Sequence, residues 1–166
     1  MIGNIIRGIR AKFFSGICKR SAKQVGKKIC INHWCKFSRN TTIGDNCHFN
    51  GMKIAGKGNV TIGNNFHSGA GILILTSNHN YDHGKAIPYD DTTVDGDVVI
   101  GDNVWLGQNV TILQGVTIGE GAIIQAGSVV VSNIEPCAIA GGHPARVFKK
   151  RDEDHYYRLK SENSFF

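Results

Sequence analysis

From Val94 to Pro136 an aliphatic residue or a proline recurs at every sixth position: Val94, Ile100, Leu106, Ile112, Ile118, Ile124, Val130 and Pro136. A second small or aliphatic side chain follows four residues after each of these, at Val98, Val104, Val110, Val116, Ala122, Ser128 and Ile134. Glycine often comes directly after the first position, as in Ile100-Gly101, Leu106-Gly107 and Ile118-Gly119. An α-helix turns ~600° over six residues and cannot keep every sixth side chain on one face. An uninterrupted strand has no place for Gly, Asn and Asp returning with the same period. One short strand and one tight turn per six residues satisfies both facts. The pattern therefore predicts an all-β solenoid whose turns stack, because no single turn buries its own apolar side.

The signature returns upstream. Ile43-Gly44-Asp45-Asn46 and Ile62-Gly63-Asn64-Asn65 match Ile100-Gly101-Asp102-Asn103, and Val25, Ile31, Phe37, Ile43 and Phe49 keep the sixfold spacing. Ile43 to Ile62 is one residue longer than three repeats, which predicts an insertion near Gly51. Ile62 to Ile100 is two residues longer than six repeats, which predicts a break at about 76–93. That stretch is rich in Asn, Asp, His and Tyr and reads as a loop ejected from the solenoid. The expected organisation is a basic amphipathic segment over 1–24, the solenoid over 25–148, and a basic run with a C-terminal helix over 149–166. Within the last, residues 152–163 place acids first and Arg158 and Lys160 later, in keeping with a helix dipole.

Charge sharpens this division. The net charge is +6, yet residues 1–28 hold eight bases and no acid, leaving 11 bases and 13 acids in the remainder. The body therefore reads as no binder of nucleic acid. A 41% hydrophobic share excludes a disordered chain. No run of 18 apolar residues exists, which excludes a membrane-spanning helix. The start of the chain has no continuous apolar region of the secretory kind, so the expected location is cytoplasmic. Residues 1–17 set Ile2, Ile5, Ile6, Ile9, Phe13 and Ile17 at helical spacing beside Arg7, Arg10 and Lys12. Two readings stand for this basic amphipathic helix: docking of residues 1–20 on the inner, anionic face of a membrane, and capping of the open solenoid end.

Five cysteines stand at 18, 30, 35, 47 and 137. An odd number without an export signal reads as a reducing compartment rather than a disulfide framework. Cys35 and Cys47 fall in the small inward slots of their repeats, so buried thiols are expected there and no metal site.

These repeats resemble the hexapeptide-repeat acyltransferases over roughly residues 25–151. The resemblance implies a left-handed parallel β-helix of triangular section, a homotrimer with sites between subunits, and transfer of an acetyl group from acetyl-coenzyme A. Within that family the chain looks similar to enzymes that acetylate sugar hydroxyls in cell-surface polysaccharide precursors, with small or lipid-linked sugars as acceptors. Acetylation of a streptogramin-type xenobiotic and a γ-carbonic-anhydrase-like zinc site are the alternatives on the same fold.

Acyl transfer from a thioester needs the acceptor hydroxyl to lose its proton as it attacks, and histidine suits that duty near neutral pH. His79, where the repeat gives way to the loop, resembles the family's catalytic histidine, with His83 as the weaker candidate. Asn78 and Asp82 are the candidate substrate-binding residues, and Asp82 or Asp90 could orient the imidazole. Trp105, Gly107, Gln108 and Ala126 resemble the coils lining the coenzyme A groove. Small residues there let an extended arm lie near the backbone. Gly142-His143-Pro144-Ala145 followed by Lys149, Lys150 and Arg151 resembles the closing motif, and these cations suit phosphates. Pro144 is the proline of that motif, and Lys149 best matches the family's phosphate contact. Maltose- and galactoside-type relatives carry an acceptor-binding asparagine in the coil before the loop, where this chain has Gly69.

Overall fold

The computed structural model describes residues 8, 11 and 13–166. Most of the expected amphipathic helix, Ile2, Ile5, Ile6 and Ile9 with Arg7, Arg10 and Lys12, lies outside the described residues. Residues 13–18 are helical.

Three parallel sheets wrap one core in about 6 turns. The first face stacks Gln24–Val25, Thr41–Ile43, Val60–Ile62, Val98–Ile100 and Thr117–Ile118. The second stacks Cys30–Ile31, His48–Phe49, His67–Ser68, Trp105–Leu106, Ile123–Ile124 and Ala138–Gly142. The third stacks Cys35–Lys36, Met52–Ala55, Ile72–Leu75, Thr111–Ile112 and Val129–Val130. Both positions of each hexad point inward: Val98 with Ile100, Val104 with Leu106, Val110 with Ile112 and Val116 with Ile118 are all buried. Cys35 and Cys47 fill inward slots as expected, and burial pushes their thiols up to about 12 and about 11.

The Ile-Gly-Asp-Asn motif has a physical role at the corner between the first and second faces. The glycine is demanded by close stacking: a Cβ on Gly101 would stand 2.7 Å from the Glu120 nitrogen of the next turn. The following Asp or Asn accepts a backbone N–H from the turn below. Asp45 takes the N–H of Lys27 at 2.7 Å, Asn64 that of Asp45 at 2.8 Å, and Asp102 that of Asn64 at 2.7 Å. The last Asn adopts a left-handed turn, at φ 56°, 54° and 59° for Asn46, Asn65 and Asn103, which asparagine tolerates better than most residues. Their amides form a ladder, Asn46 to Asn65 at 3.0 Å and Asn65 to Asn103 at 2.9 Å.

The sixfold count errs at three places. Val94 is exposed and pairs antiparallel with Asn78, so it belongs to the ejected segment rather than to the solenoid. Ile134 bridges to Ile118, two residues early for the rhythm, which leaves Pro136 exposed at a corner. The extra residue is not inserted at Gly51. The corner after Phe49 is one residue short and the next, around Gly56 to Gly58, two residues long, as the inward positions Phe49, Ile54 and Ile62 show. Sequence spacing reports only the sum of these corner lengths.

After the last turn, Ala145–Lys150 folds back antiparallel on Ala138–Gly142 and closes the second face. The helix Glu153–Ser161 follows, with Asp152 accepting the His155 N–H at 2.9 Å as its cap. Tyr156 ends the asparagine ladder, accepting from Asn103 at 2.8 Å and donating to Glu120 at 2.8 Å. Beyond it, Phe166 reaches the second face, beside the stacked rings of His48 and His67.

Candidate active site

The chain leaves the solenoid after Thr76, whose buried hydroxyl donates to the Ala55 carbonyl at 3.2 Å. Ser77–His79 then pairs antiparallel with Thr93–Asp95, so the ejected loop is a hairpin closed at its base. Ser77 accepts the Lys57 N–H at 2.8 Å and donates to Asp95, tying that base to the turn below. His79 is the last residue of the outgoing strand and is exposed. It lines an open cavity of about 220 Å³ with Asn78, Tyr81, Asp82, His83 and Gln114.

The imidazole is held by a contact that sequence reading missed. The Tyr89 ring stacks on it with centroids 3.7 Å apart and planes inclined 14°. Alternating polar residues gave no signal for this, because nine residues of loop separate the partners. Asn78 turns its amide oxygen to the His79 backbone N–H at 2.9 Å. Asp90 accepts from the Lys85 N–H at 2.7 Å and from both the backbone and hydroxyl of Thr92. The Thr92 hydroxyl and these backbone donors hold its carboxyl below the usual range. Asp90 thus shapes the loop, while Asp82 shares the cavity with His79.

The cofactor candidates lie elsewhere on the prism. The hairpin springs from the edge between the third and first faces, opposite the second face. Gln108 and, one turn further along, the adjacent Ala126 and Gly127 are exposed on the edge between the second and third faces, with Gly107 packed directly beneath Ala126. Pro144 is exposed on the same edge, and its neighbour His143 hydrogen-bonds the Gly127 carbonyl. Trp105 stands on the second face, 53% exposed, in register with His67 and Ile123. It lines a groove of about 390 Å³ under the C-terminal tail, with His67, Arg151, Tyr156, Lys160 and Phe166. Within one chain, therefore, the cavity at His79 contains none of the cofactor candidates.

The three terminal cations differ. Lys150 pairs with Glu135 at 3.2 Å and Glu153 at 3.9 Å. Arg151 donates to the Gly121 carbonyl at 2.6 Å and lies 5.5 Å from the Tyr156 ring centre. Lys149 is exposed and, among the described residues, makes no ion pair. Small residues at Gly107, Ala126 and Gly127 leave room for an extended chain close to the backbone, and Lys149, opposite Ile139 on the second face, offers an unpaired ammonium for a phosphate. Among the described residues, no three His, Cys, Asp or Glu side chains converge as a metal-binding group.

Three stacked parallel faces, a sixfold inward rhythm and one ejected hairpin define a parallel β-solenoid, consistent with the left-handed β-helix fold of hexapeptide-repeat acetyltransferases. The profile described as "Bacterial transferase hexapeptide (six repeats)" matches residues 97–132. A hexapeptide-repeat-containing acetyltransferase of Vibrio cholerae, solved with acetyl-coenzyme A, is 30% identical over 82% of this chain and 75% of its own, with a TM-score of 0.71. A galactoside acetyltransferase in complex with coenzyme A is 29% identical over 85% of this chain and 72% of its own, at TM-score 0.69. A maltose O-acetyltransferase from Clostridium difficile 630 is 28% identical over 83% and 74%, at TM-score 0.65. Curated protein sequences give no significant match. The chain belongs to the hexapeptide-repeat acetyltransferases.

Proposed function

We propose that this protein transfers an acetyl group from acetyl-coenzyme A to a hydroxyl of a sugar, with His79 as the general base. The observation carrying this reading is the placement of His79: exposed, on a closed hairpin, flanked by an open cavity and held by one aromatic face. The similar structures solved with acetyl-coenzyme A and coenzyme A support the donor, and the galactoside and maltose enzymes support a sugar acceptor. A sugar hydroxyl is a poor nucleophile until its proton leaves. The His79 imidazole takes that proton as the oxygen attacks the thioester carbon. The carbon–sulfur bond then breaks, and the same proton goes to the departing thiol. Asn78 and Asp82 are the acceptor contacts of this reading. Gln108, Gly107, Ala126 and Pro144 form the donor's edge, with Trp105 beside it and Lys149, more than Lys150 or Arg151, facing its phosphates.

The separation of these two groups favours a homotrimer. A complete site needs the hairpin of one subunit beside the donor edge of its neighbour. The proposed setting is the making of cell-surface polysaccharide, where acceptors are lipid-linked sugars. The test is a panel of free and lipid-linked sugars, incubated with acetyl-coenzyme A and followed by thiol release. The reading requires acceptor-dependent release that His79→Ala abolishes. Release by that variant at the parent rate would overturn the assigned base.

A further inference from the structure

The described start of the chain closes the first turn of the solenoid. Phe14 packs against the core, the Ser15 hydroxyl accepts the Ile31 N–H at 3.2 Å, and the buried Cys18 sulfur accepts the Cys35 N–H at 3.3 Å. Capping is therefore one role of this segment. It leaves other side chains unused. Phe13 is 62% exposed, Ile17 40% and Trp34 57%. They form one patch: Phe13 meets Phe14 edge-on at 5.6 Å, and Phe14 meets Trp34 at 6.5 Å. Ile17 and Trp34 line a shallow hollow with Arg20, Lys36 and Arg39. On the other side of Trp34, Lys36 and Lys53 stand in register on adjacent strands along a second hollow. Between residue 13 and Asp45 the chain has seven bases and no acid.

We propose that this end of the solenoid docks on an anionic lipid surface through Phe13, Ile17 and Trp34, with Arg20, Lys36 and Arg39 against the headgroups. Large aromatic and aliphatic side chains ringed by cations are the side-chain set that partitions into the headgroup boundary. Charge selects the occupant. A second copy would bring an equally basic end against this one, whereas an anionic bilayer meets the cations and also takes up the apolar side chains. No described helix is long and apolar enough to cross a membrane, so the contact is peripheral. The proposal stands apart from the acyl-transfer reading, and either can fail alone.

The test is sedimentation of the full chain with vesicles of phosphatidylcholine alone or mixed with phosphatidylglycerol. The expected result is about tenfold or stronger preference for the anionic vesicles, weakening as salt rises. The triple variant Phe13→Ser, Ile17→Ser, Trp34→Ser and the double variant Lys36→Glu, Arg39→Glu should each reduce binding about tenfold at an unchanged thermal midpoint, since all five side chains are exposed. In a Trp105→Phe background Trp34 is the sole tryptophan, and its emission should shift to the blue on anionic vesicles only. Equal binding to both vesicle types, undiminished binding by both variants, or no Trp34 shift overturns the proposal. So does tighter binding to a single-stranded oligonucleotide than to the anionic vesicles.

Discussion

The imidazole of His79 lies almost flat on the ring of Tyr89, at 3.7 Å and 14°. Among the described residues, neither Asp82 nor Asp90 hydrogen-bonds that imidazole. The ring is thus oriented by a face rather than by a carboxylate, which limits its tilt while leaving both nitrogens open to substrate. If His79 is the base, as proposed, Tyr89 is its positioning residue. Replacement by Phe should preserve kcat, because the stacking face survives, whereas Tyr89→Ala should lower kcat about tenfold with little change in KM for the donor. Equal losses in both variants would assign the effect to the hydroxyl instead.

Removing the proposed base is expected to have a larger effect. His79→Ala should reduce kcat by about 10²- to 10⁴-fold, the usual contribution of a positioned general base. Donor affinity measured by calorimetry should stay the same, because the donor's candidate residues lie on another edge of the prism. A loss of donor binding in this variant would contradict that geometry.

Close stacking at the corners makes Gly101 a sensitive position. Gly101→Ala places its Cβ 2.7 Å from the Glu120 nitrogen, where backbone rather than a flexible side chain must yield. A destabilisation of about 1–3 kcal/mol is expected, read from denaturant midpoints. Leu106→Ala, which empties a fully buried slot, should cost about 2–5 kcal/mol in the same assay. Gln108→Ala, on an exposed corner, serves as the neutral comparison for stability.

The C-terminal tail should respond to acid. Burial, then the neighbouring His48 ring, hold the His67 imidazole below its usual value, against an opposing contribution from the Phe166 carbonyl. The folded chain therefore binds this proton less readily than the unfolded chain does. As pH falls below about 6.5 the unfolded state gains protons first and folding stability declines. Glu120 acts in the same sense at lower pH. Burial alone would raise its carboxyl, but the hydrogen bonds from Lys160 at 2.5 Å and Tyr156 at 2.8 Å hold it below the usual range. Its stabilising effect is present above the ordinary carboxylate range and is lost as pH drops through the lowered value. Hydrogen-exchange protection over residues 156–166, taken relative to the intrinsic rate at each pH, should be lower at pH 5 than at pH 7.5. His67→Asn should flatten the upper part of that profile.

The solenoid was legible because its cause is local and repeated. Each hexad must supply two inward apolar side chains, a glycine where turns touch, and a residue that tolerates a left-handed corner, so Ile-Gly-Asp-Asn carries the fold in plain view. Ejection of a polar segment near His79 followed from the failed count. The corner lengths were not legible: Phe49, Ile54 and Ile62 show a short corner compensating a long one, and spacing sees only their sum. Val94 and Pro136 kept the rhythm by composition while their backbone partners put them outside it.

Sequence by itself determined the stacked architecture, the exposed histidine on its loop and the basic end, since each depends on neighbours in the chain or one period away. Tertiary structure alone decided which face of the prism each candidate occupies, that Tyr89 rather than a carboxylate faces His79, and that Lys150 and Arg151 are engaged with Glu135 and Gly121. Those relations depend on how the hairpin closes and how the last strand folds back. Both are set by contacts between segments whose separation follows no period.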